Sequence, residues 1–189
     1  MWPWGHLAVG YLAYAGLTDR RFRRAPDGLA VVVCAFGTQF PDLVDKPLAW
    51  SLGVIPNGRS LAHSALVATV VIVLVGWYLR SRDRGTLAVA FGLGYYSHLV
   101  ADAFAPFLAG RWDELAFLGW PLLPPVQYAG PKSFYGHFAE LARELAAGHV
   151  SAYFAFQLVL VVLALGLWVR HGYPGLGVFR SRPTGQPGE

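Results

Sequence analysis

The chain has 189 residues, of which 55% are hydrophobic and only 14% are charged. An ordinary soluble domain carries about 25% charged residues, so the composition excludes a typical water-soluble protein and predicts one built in lipid. The length suits a single domain, and no internal stretch rich in Pro, Gly or Ser is long enough to link two. The formal net charge of +4 is small and comes from loop arginines, so we expect no nucleic-acid partner.

The start of the chain and its single cysteine predict neither a cleaved leader nor a disulfide framework. The start, Met1 to Trp4, lacks a basic leader and a small-residue cleavage pattern, so we expect the first apolar segment to stay in the mature protein. The one cysteine, Cys34, lies in an apolar run. A disulfide framework or a thiolate metal cluster within the chain is therefore excluded.

Apolar segments predict an all-α fold, a polytopic membrane bundle of about five transmembrane helices with an outer helical loop region. A bilayer core about 30 Å thick needs about 20 apolar residues in helical form. The two earliest segments are shorter than this and could instead be buried or re-entrant, whereas the last three are long enough or nearly so. In chain order the five are Trp4–Leu17, Gly28–Phe40, Leu61–Leu79, Thr86–Leu108 and Ser151–Val169.

The distribution of basic residues predicts the orientation of these helices. With five crossings, one side carries Arg20, Arg21, Arg23, Arg24, Arg80, Arg82, Arg84, Arg170, Arg180 and Arg182. The other side keeps Lys46, Arg59, Arg111, Lys132 and Arg143. Arginine-rich short loops are typical of the cytoplasmic side, so we expect the N-terminus outside and the C-terminus in the cytoplasm. The chain then divides into a membrane domain over residues 1–173 and a disordered cytoplasmic tail over 174–189.

Ionisable residues within the apolar segments are the strongest functional signal. Each costs about 2.5 to 3.5 kcal/mol at the centre of a membrane helix, so each needs a compensating partner. His98 and Asp102 stand four residues apart, on one face of the fourth helix. Asp42 and Asp45 stand three apart at the outer end of the second helix, again on one face if that helix continues.

On the predicted topology the polar residues fall at one depth. His6 begins the first helix and His63 begins the third, so both join Asp42, Asp45 and the pair of helix four at the outer side. Imidazoles and carboxylates from several helices suit zinc, manganese or another divalent transition metal. The sequence therefore predicts a metal site. The alternative is a pathway for protons or divalent cations, as in a transporter or sensor, using the same cluster without chemistry.

The long outer segment, residues 105–150, adds a predicted helix over 133–147. His137 and Glu140 stand three residues apart on it, and we take His137 as a further metal ligand and Glu140 as a candidate general base. The alternative is that Glu140 and Glu144 form the solvated face of an amphipathic surface helix.

Three phrases of the sequence resemble a known family. They are Phe40-Pro41-Asp42 to Pro47, Arg59-Ser60-Leu61-Ala62-His63-Ser64, and Gly94-Tyr95-Tyr96-Ser97-His98 to Asp102. Together they look like the membrane-bound, metal-dependent hydrolases, also described as LexA-binding, inner-membrane-associated hydrolases. The order of His and Asp residues is also distantly similar to the zinc-dependent phospholipase C and nuclease group. The resemblance implies hydrolysis of an ester bond, such as that of a phosphoric ester, in an all-helical fold.

The predicted mechanism follows from the metal site. Divalent ions held by His6, Asp42, His63, His98 and Asp102 would activate water for attack on an ester phosphorus or carbonyl. Asp45 or Glu140 is the candidate general base, and Arg59 is the candidate anion clamp. A site at the outer headgroup layer would let a membrane lipid or lipid-linked substrate enter sideways.

Overall fold

The computed structural model describes residues 1–22, 24–128 and 133–179. Within these ranges the protein is all-helical, which confirms the predicted fold class. The main helices are α1 (Pro3–Phe22), α2 (Gly28–Lys46), α3 (Ala65–Arg80), α4 (Gly85–Leu108), α5 (Phe134–Ala146) and α6 (Ala152–Arg170). A π-helical turn (Pro47–Ser51) and two 3-10 helices (Trp112–Gly119 and Leu176–Phe179) complete the described elements. Arg23, Lys132, Arg180, Arg182 and most of the predicted tail lie outside the described residues.

Side-chain caps explain where several helices begin. The Asp27 carboxylate accepts a hydrogen bond from the Ala30 amide and so caps α2. The hydroxyls of Ser64 and Ser151 do the same for α3 and α6. Each cap satisfies an amide of the first turn that has no partner inside the helix.

The third predicted segment is wrong at its start. Leu61 to His63 form a turn, and α3 begins only at Ala65, after the Ser64 cap. The Ser60 amide donates to the Asp45 carboxylate, and the Ser64 hydroxyl donates to the Trp120 carbonyl. These two bonds hold the stretch outside the helix. The second helix is longer than expected, since it continues through Pro41 to Lys46.

Three helical segments in the described chain are long and apolar enough to cross a membrane: Gly28–Ser51, Gly85–Leu108 and Ala152–Arg170. The helix α3 is apolar but has only 16 residues, and α1 has the length but not the mean hydropathy of those three. Five crossings therefore stay a prediction. The first residues of the predicted tail include the 3-10 helix Leu176–Phe179, which packs against α2.

The helix α4 lies at the centre of the bundle. It packs against α1, α2 and α3, and 61% of its most apolar stretch is buried. The corresponding fraction for α6, which packs against α1, is 11%. Its contact with α2 is close because Gly37 and Gly94 have no side chains there. A Cβ atom on Gly94 would lie 2.3 Å from the Cys34 carbonyl oxygen, and one on Gly37 would lie 2.6 Å from that of Phe91. Small residues of this kind let membrane helices approach closely.

Candidate metal centre

Five of the predicted ligands come together at one end of the bundle. We call them the His/Asp cluster: His6 of α1, Asp42 of α2, His63 of the turn before α3, and His98 and Asp102 of α4. The three imidazoles are 0% to 1% exposed and Asp102 is 4% exposed, so the cluster is shielded from solvent. The convergence that the sequence predicted is confirmed for these five side chains.

Two imidazole nitrogens face each other at the centre of the cluster. Nε2 of His63 and Nε2 of His98 are 3.1 Å apart. Asp42 Oδ1 lies 3.5 Å from the first nitrogen and 3.9 Å from the second. Zinc bonds of about 2.0 to 2.1 Å in tetrahedral geometry would separate ligand atoms by about 3.3 Å, so the spacing of these three atoms fits one ion.

The opposite nitrogen of each ring is already engaged. Nδ1 of His63 lies 2.8 Å from Asp45 Oδ2, and Nδ1 of His98 lies 2.5 Å from the Thr38 carbonyl oxygen. A carbonyl oxygen or a carboxylate can only accept, so both Nδ1 atoms carry hydrogen. In the neutral rings both Nε2 atoms then present lone pairs to each other. That arrangement suits a cation between them, either a proton or a metal ion.

His6 and Asp102 form a second group that shares His98. His6 Nε2 lies 3.3 Å from Asp102 Oδ1, and the rings of His6 and His98 stack at 3.6 Å. Both ring nitrogens of His6 are buried, and apart from this contact of Nε2 with Asp102 neither has a hydrogen-bond partner among the described residues. A bound metal ion would account for a buried ring nitrogen that lacks a hydrogen-bond partner. Since His98 has one free nitrogen, the two groups cannot each use it for a separate ion.

Asp102 is also surrounded by positive charge from the protein. Its Oδ1 accepts from the amino group of Met1 at 2.7 Å, and its Oδ2 lies 2.8 Å from Arg59 Nε. Its Oδ2 is nevertheless 3.6 Å from His63 Nε2 and 3.7 Å from His98 Nε2, close enough to serve as a further ligand. Burial by itself lowers the pKa of Arg59, but Asp102 more than offsets this and raises it.

Asp45 lies behind His63 and is not one of the facing ligand atoms. It is fully buried, and its carboxylate accepts from the amides of Ser60, Ala62 and His63 as well as from the His63 ring. A carboxylate that holds the far nitrogen of a metal-binding histidine is a common supporting arrangement. The predicted role of Asp45 as a general base has no support in this geometry, because both oxygens are occupied.

The remaining predicted site residues line a cavity of about 470 Å³ beside the cluster. Arg59 lies at its inner wall, whereas His137 and Glu140 reach it from α5. His137 is therefore not brought into the His/Asp cluster. Its ring lies 5.6 Å from that of Trp50, and burial, followed by the nearby Lys46 ammonium, lowers its pKa.

The structure adds site residues that sequence reasoning missed. Tyr128 lines the cavity with its ring 5.3 Å from Arg59 Cζ, and burial raises the pKa of its hydroxyl although Arg59 opposes this. Lys46 bonds Asp42 Oδ2 at 2.5 Å. Gln157 accepts from the Trp2 amide at 2.8 Å. Only Gln157 carried a usable sequence signal, as a lone polar residue in an apolar helix.

A family model matches most of the chain. Residues 1–173 match the YdjM inner membrane protein family. The chain belongs to this family. Membership agrees with the apolar helices and establishes a membrane protein, in line with the predicted membrane location. No curated protein and no solved structure matches the chain.

For this member of the YdjM family, the match extends from the first residue to the end of α6 and the residues just after it. It therefore contains the whole His/Asp cluster and the cavity beside it. Membership identifies a membrane family but assigns no reaction, so the chemistry has to be argued from the cluster.

Proposed function

We propose that this protein is an integral-membrane, metal-dependent hydrolase that cleaves a phosphate ester or a lipid-linked ester. The observation that carries the proposal is the pair of Nε2 atoms of His63 and His98, 3.1 Å apart with both Nδ1 atoms engaged elsewhere. Asp42 Oδ1 supplies an oxygen at a matching distance. Two imidazoles and a carboxylate are the ligand set of several catalytic zinc sites.

The donor atoms indicate which ion the cluster would hold. Mixed nitrogen and oxygen ligands suit zinc first, with manganese or another divalent transition metal as alternatives. Such an ion, when bound, supplies Lewis acidity that lowers the pKa of water and polarises the ester oxygen. His6 and Asp102 lie beside this position and complete the set, so all five side chains serve the same centre.

The surrounding residues have distinct roles in this proposal. Asp45 positions His63 and keeps hydrogen on its Nδ1 atom, so that Nε2 stays free to bind. Arg59 lies between Asp102 and the cavity, where its guanidinium can bind an anionic group of the substrate. It therefore acts as the anion clamp and also neutralises a buried carboxylate.

We assign the proton acceptor to His137. Hydrolysis forms one bond between the water oxygen and phosphorus and breaks one bond between phosphorus and the leaving oxygen. His137 takes the proton from water, and the leaving oxygen is protonated as it departs. A lowered pKa keeps His137 neutral, and so able to accept a proton, at neutral pH. Glu140 lines the same cavity, but its side chain is exposed to solvent.

The test combines metal content with hydrolysis. Wild type and the double variant His98→Ala, Asp102→Ala are purified in detergent without chelators and analysed by elemental mass spectrometry. We expect about one divalent ion per chain in the wild type and its loss in the variant. We also expect hydrolysis of bis(p-nitrophenyl) phosphate or of phospholipid vesicles to disappear with the ion. Asp113→Asn, an exposed carboxylate outside the cavity, is the control.

Two results would contradict the proposal. Full hydrolytic activity in the double variant would exclude the cluster as the reaction centre. Absence of bound metal in both proteins would instead favour the proton or cation pathway, in which the two Nε2 atoms share a proton.

A further inference from the structure

The cavity beside the His/Asp cluster has walls of opposite charge. Its inner wall carries Lys46 and Arg59, each bonded to a carboxylate of the cluster. Its outer wall is α5, which contributes Glu140 and Glu144. A ligand that fills the cavity therefore meets positive charge next to the cluster and negative charge from α5.

The positive wall offers a place for an anionic group. Arg59 Nε is held by Asp102, and the ring of Tyr128 lies against the same guanidinium. The Tyr128 hydroxyl oxygen is buried and lacks a hydrogen-bond partner within the described residues. A buried hydroxyl usually has a partner, so one supplied by a bound ligand would complete this wall. A phosphate oxygen suits both a guanidinium and a phenol as hydrogen-bond acceptor.

The negative wall offers a place for a cation. Glu140 and Glu144 are four residues apart on one face of α5, and like charges at that spacing repel each other. In the part of the chain that the structure describes, neither has a Lys or Arg nitrogen within 4.0 Å. Trp50 lies in the same cavity and adds an aromatic face. Carboxylates combined with aromatic rings are favourable surroundings for an ammonium group.

The outside of α5 indicates where the ligand comes from. Tyr135, Phe138 and Leu145 of this helix are 80%, 54% and 42% exposed. The helix thus turns His137, Glu140, Leu141 and Glu144 towards the cavity and these three apolar side chains away from it. An amphipathic helix with such an apolar face is typical of the membrane interface. We therefore expect the cavity to open beside lipid.

We propose that the cavity binds the headgroup of a zwitterionic phospholipid. Its phosphate contacts Arg59 and Tyr128, and its ammonium group contacts Glu140 and Glu144. A cavity of about 470 Å³ lies within the range of small-molecule sites and accommodates a headgroup while the acyl chains stay in the membrane. The proposal rests on the proposed function, because it makes this lipid the phosphate ester that is cleaved.

The first experiment measures binding and does not depend on hydrolysis. The full-length protein in dodecyl maltoside is titrated with dihexanoyl phosphatidylcholine or dihexanoyl phosphatidylglycerol, below their micellar concentrations. Tryptophan fluorescence follows binding, and Trp50→Phe assigns the signal to the cavity. We expect the zwitterionic lipid to bind about tenfold more tightly than the anionic one, because the two carboxylates of the cavity attract an ammonium group and repel a second negative charge.

Matched variants test which carboxylates are responsible. Glu140→Gln with Glu144→Gln should bring the two affinities to within about twofold of each other. Asp83→Asn with Asp113→Asn removes the same charge from exposed positions outside the cavity and should keep the wild-type preference. Equal affinity for the two lipids in the wild type, or an unchanged preference in the Gln variant, would overturn the inference.

Hydrolysis rates separate this inference from the proposed function. If the metal-loaded wild type cleaves both lipids at equal rates, the hydrolase proposal stands and the zwitterion inference is wrong. If it cleaves no phosphate ester but binds the zwitterionic lipid selectively, the hydrolase proposal is wrong and headgroup recognition stands. We expect faster cleavage of the zwitterionic lipid, with soluble glycerophosphocholine cleaved far more slowly because it lacks the chains that hold it in the membrane.

Discussion

Each histidine at the centre of the site depends on a residue that does not itself face the other ligands. His63 is oriented by the buried Asp45, and His98 by the backbone carbonyl of Thr38. Both contacts fix which nitrogen carries hydrogen and so leave Nε2 free. Whether Nε2 of each histidine is available to bind a metal ion therefore depends on the partner of its Nδ1 atom.

Asp45→Asn tests this support directly. An amide keeps the size of the side chain but removes the charge that stabilises hydrogen on Nδ1 of His63. We expect metal affinity to fall about 10- to 100-fold, measured by competition with a chelator. Asp42→Asn, which alters a facing ligand, should abolish binding at the same chelator concentration. Unchanged affinity in the Asp45 variant would show that His63 needs no carboxylate behind it.

The variant His137→Gln tests whether His137 acts as a general base or as a metal ligand. Because His137 lies in the cavity and outside the cluster, the variant should keep its metal while its turnover rate falls about 100-fold or more. Elemental analysis and initial rates provide the two measurements. Loss of metal in this variant would instead support the sequence prediction that His137 is a ligand.

The wild-type pH profile gives a second check on His137. The ring accepts a proton only when neutral, and its pKa is lowered from the usual value of 6.5. We therefore expect activity to fall as the pH is lowered, with a midpoint below pH 6.5, because His137 becomes half protonated only below that pH. An acid limb centred above that value would contradict His137 as the base.

The contact between α2 and α4 sets the geometry of the site at the scale of elements. Asp42 and Asp45 are on one helix and His98 and Asp102 on the other, so the distance between the helix axes fixes the distances between ligands. Gly37 permits the close approach on the side of α2, and Gly94 does so on the side of α4. The sequence pattern pointed to the ligand pairs but not to these glycines.

Gly94→Ala should disturb both stability and metal binding. Its Cβ atom would lie 2.3 Å from a backbone oxygen of Cys34, which cannot move independently of α2, so the helices must separate. We expect a loss of about 1 to 3 kcal/mol in the free energy of unfolding and weaker metal binding. Thermal unfolding in detergent and elemental analysis measure the two effects.

Gly166→Ala is the matched control for that variant. It lies within α6, where an added Cβ atom would have no neighbouring atom within 4 Å. Since alanine favours helix more than glycine does, this variant should be as stable as the wild type or slightly more stable. Equal effects of the two substitutions would show that close helix approach is not what Gly94 provides.

Within the described residues, the His/Asp cluster lies at one end of the molecule and most of the loop arginines lie at the other. The helix α3 begins just after His63 and ends at Arg80, about 24 Å further along its axis. The final turns of α1 and α6 also carry arginines. The sequence rule for orientation then predicts that the cluster and the cavity face the outside.

Labelling with a membrane-impermeant maleimide tests this orientation. Asp113→Cys lies beyond the C-terminal end of α4, and Asp83→Cys lies before its start, so the two positions are at opposite ends of one spanning helix. In intact cells or spheroplasts we expect labelling at position 113 only, and labelling at position 83 only after lysis. The native Cys34 is 2% exposed and gives a low background. The reverse pattern would place the site on the cytoplasmic side.

The sequence by itself determined the membrane class, the all-helical fold and five of the residues that meet in the cluster. It could do so because lipid makes every buried charge costly, so that His98, Asp102 and their partners stand out from an apolar background. Their spacing of four residues also specifies a shared helix face without any knowledge of the fold.

Only the tertiary structure decided which neighbours these residues have. Asp45 lies behind His63, and His137 lies in the cavity beside the cluster. The spacing of residues along the chain does not specify either position. The turn at Leu61 to His63 likewise forms because Ser60 and Ser64 find partners in distant elements. Contacts between residues far apart in the chain arise from packing. The five cluster residues could therefore be predicted from the sequence, but the residues that orient them, the cavity beside them and its charged walls could not.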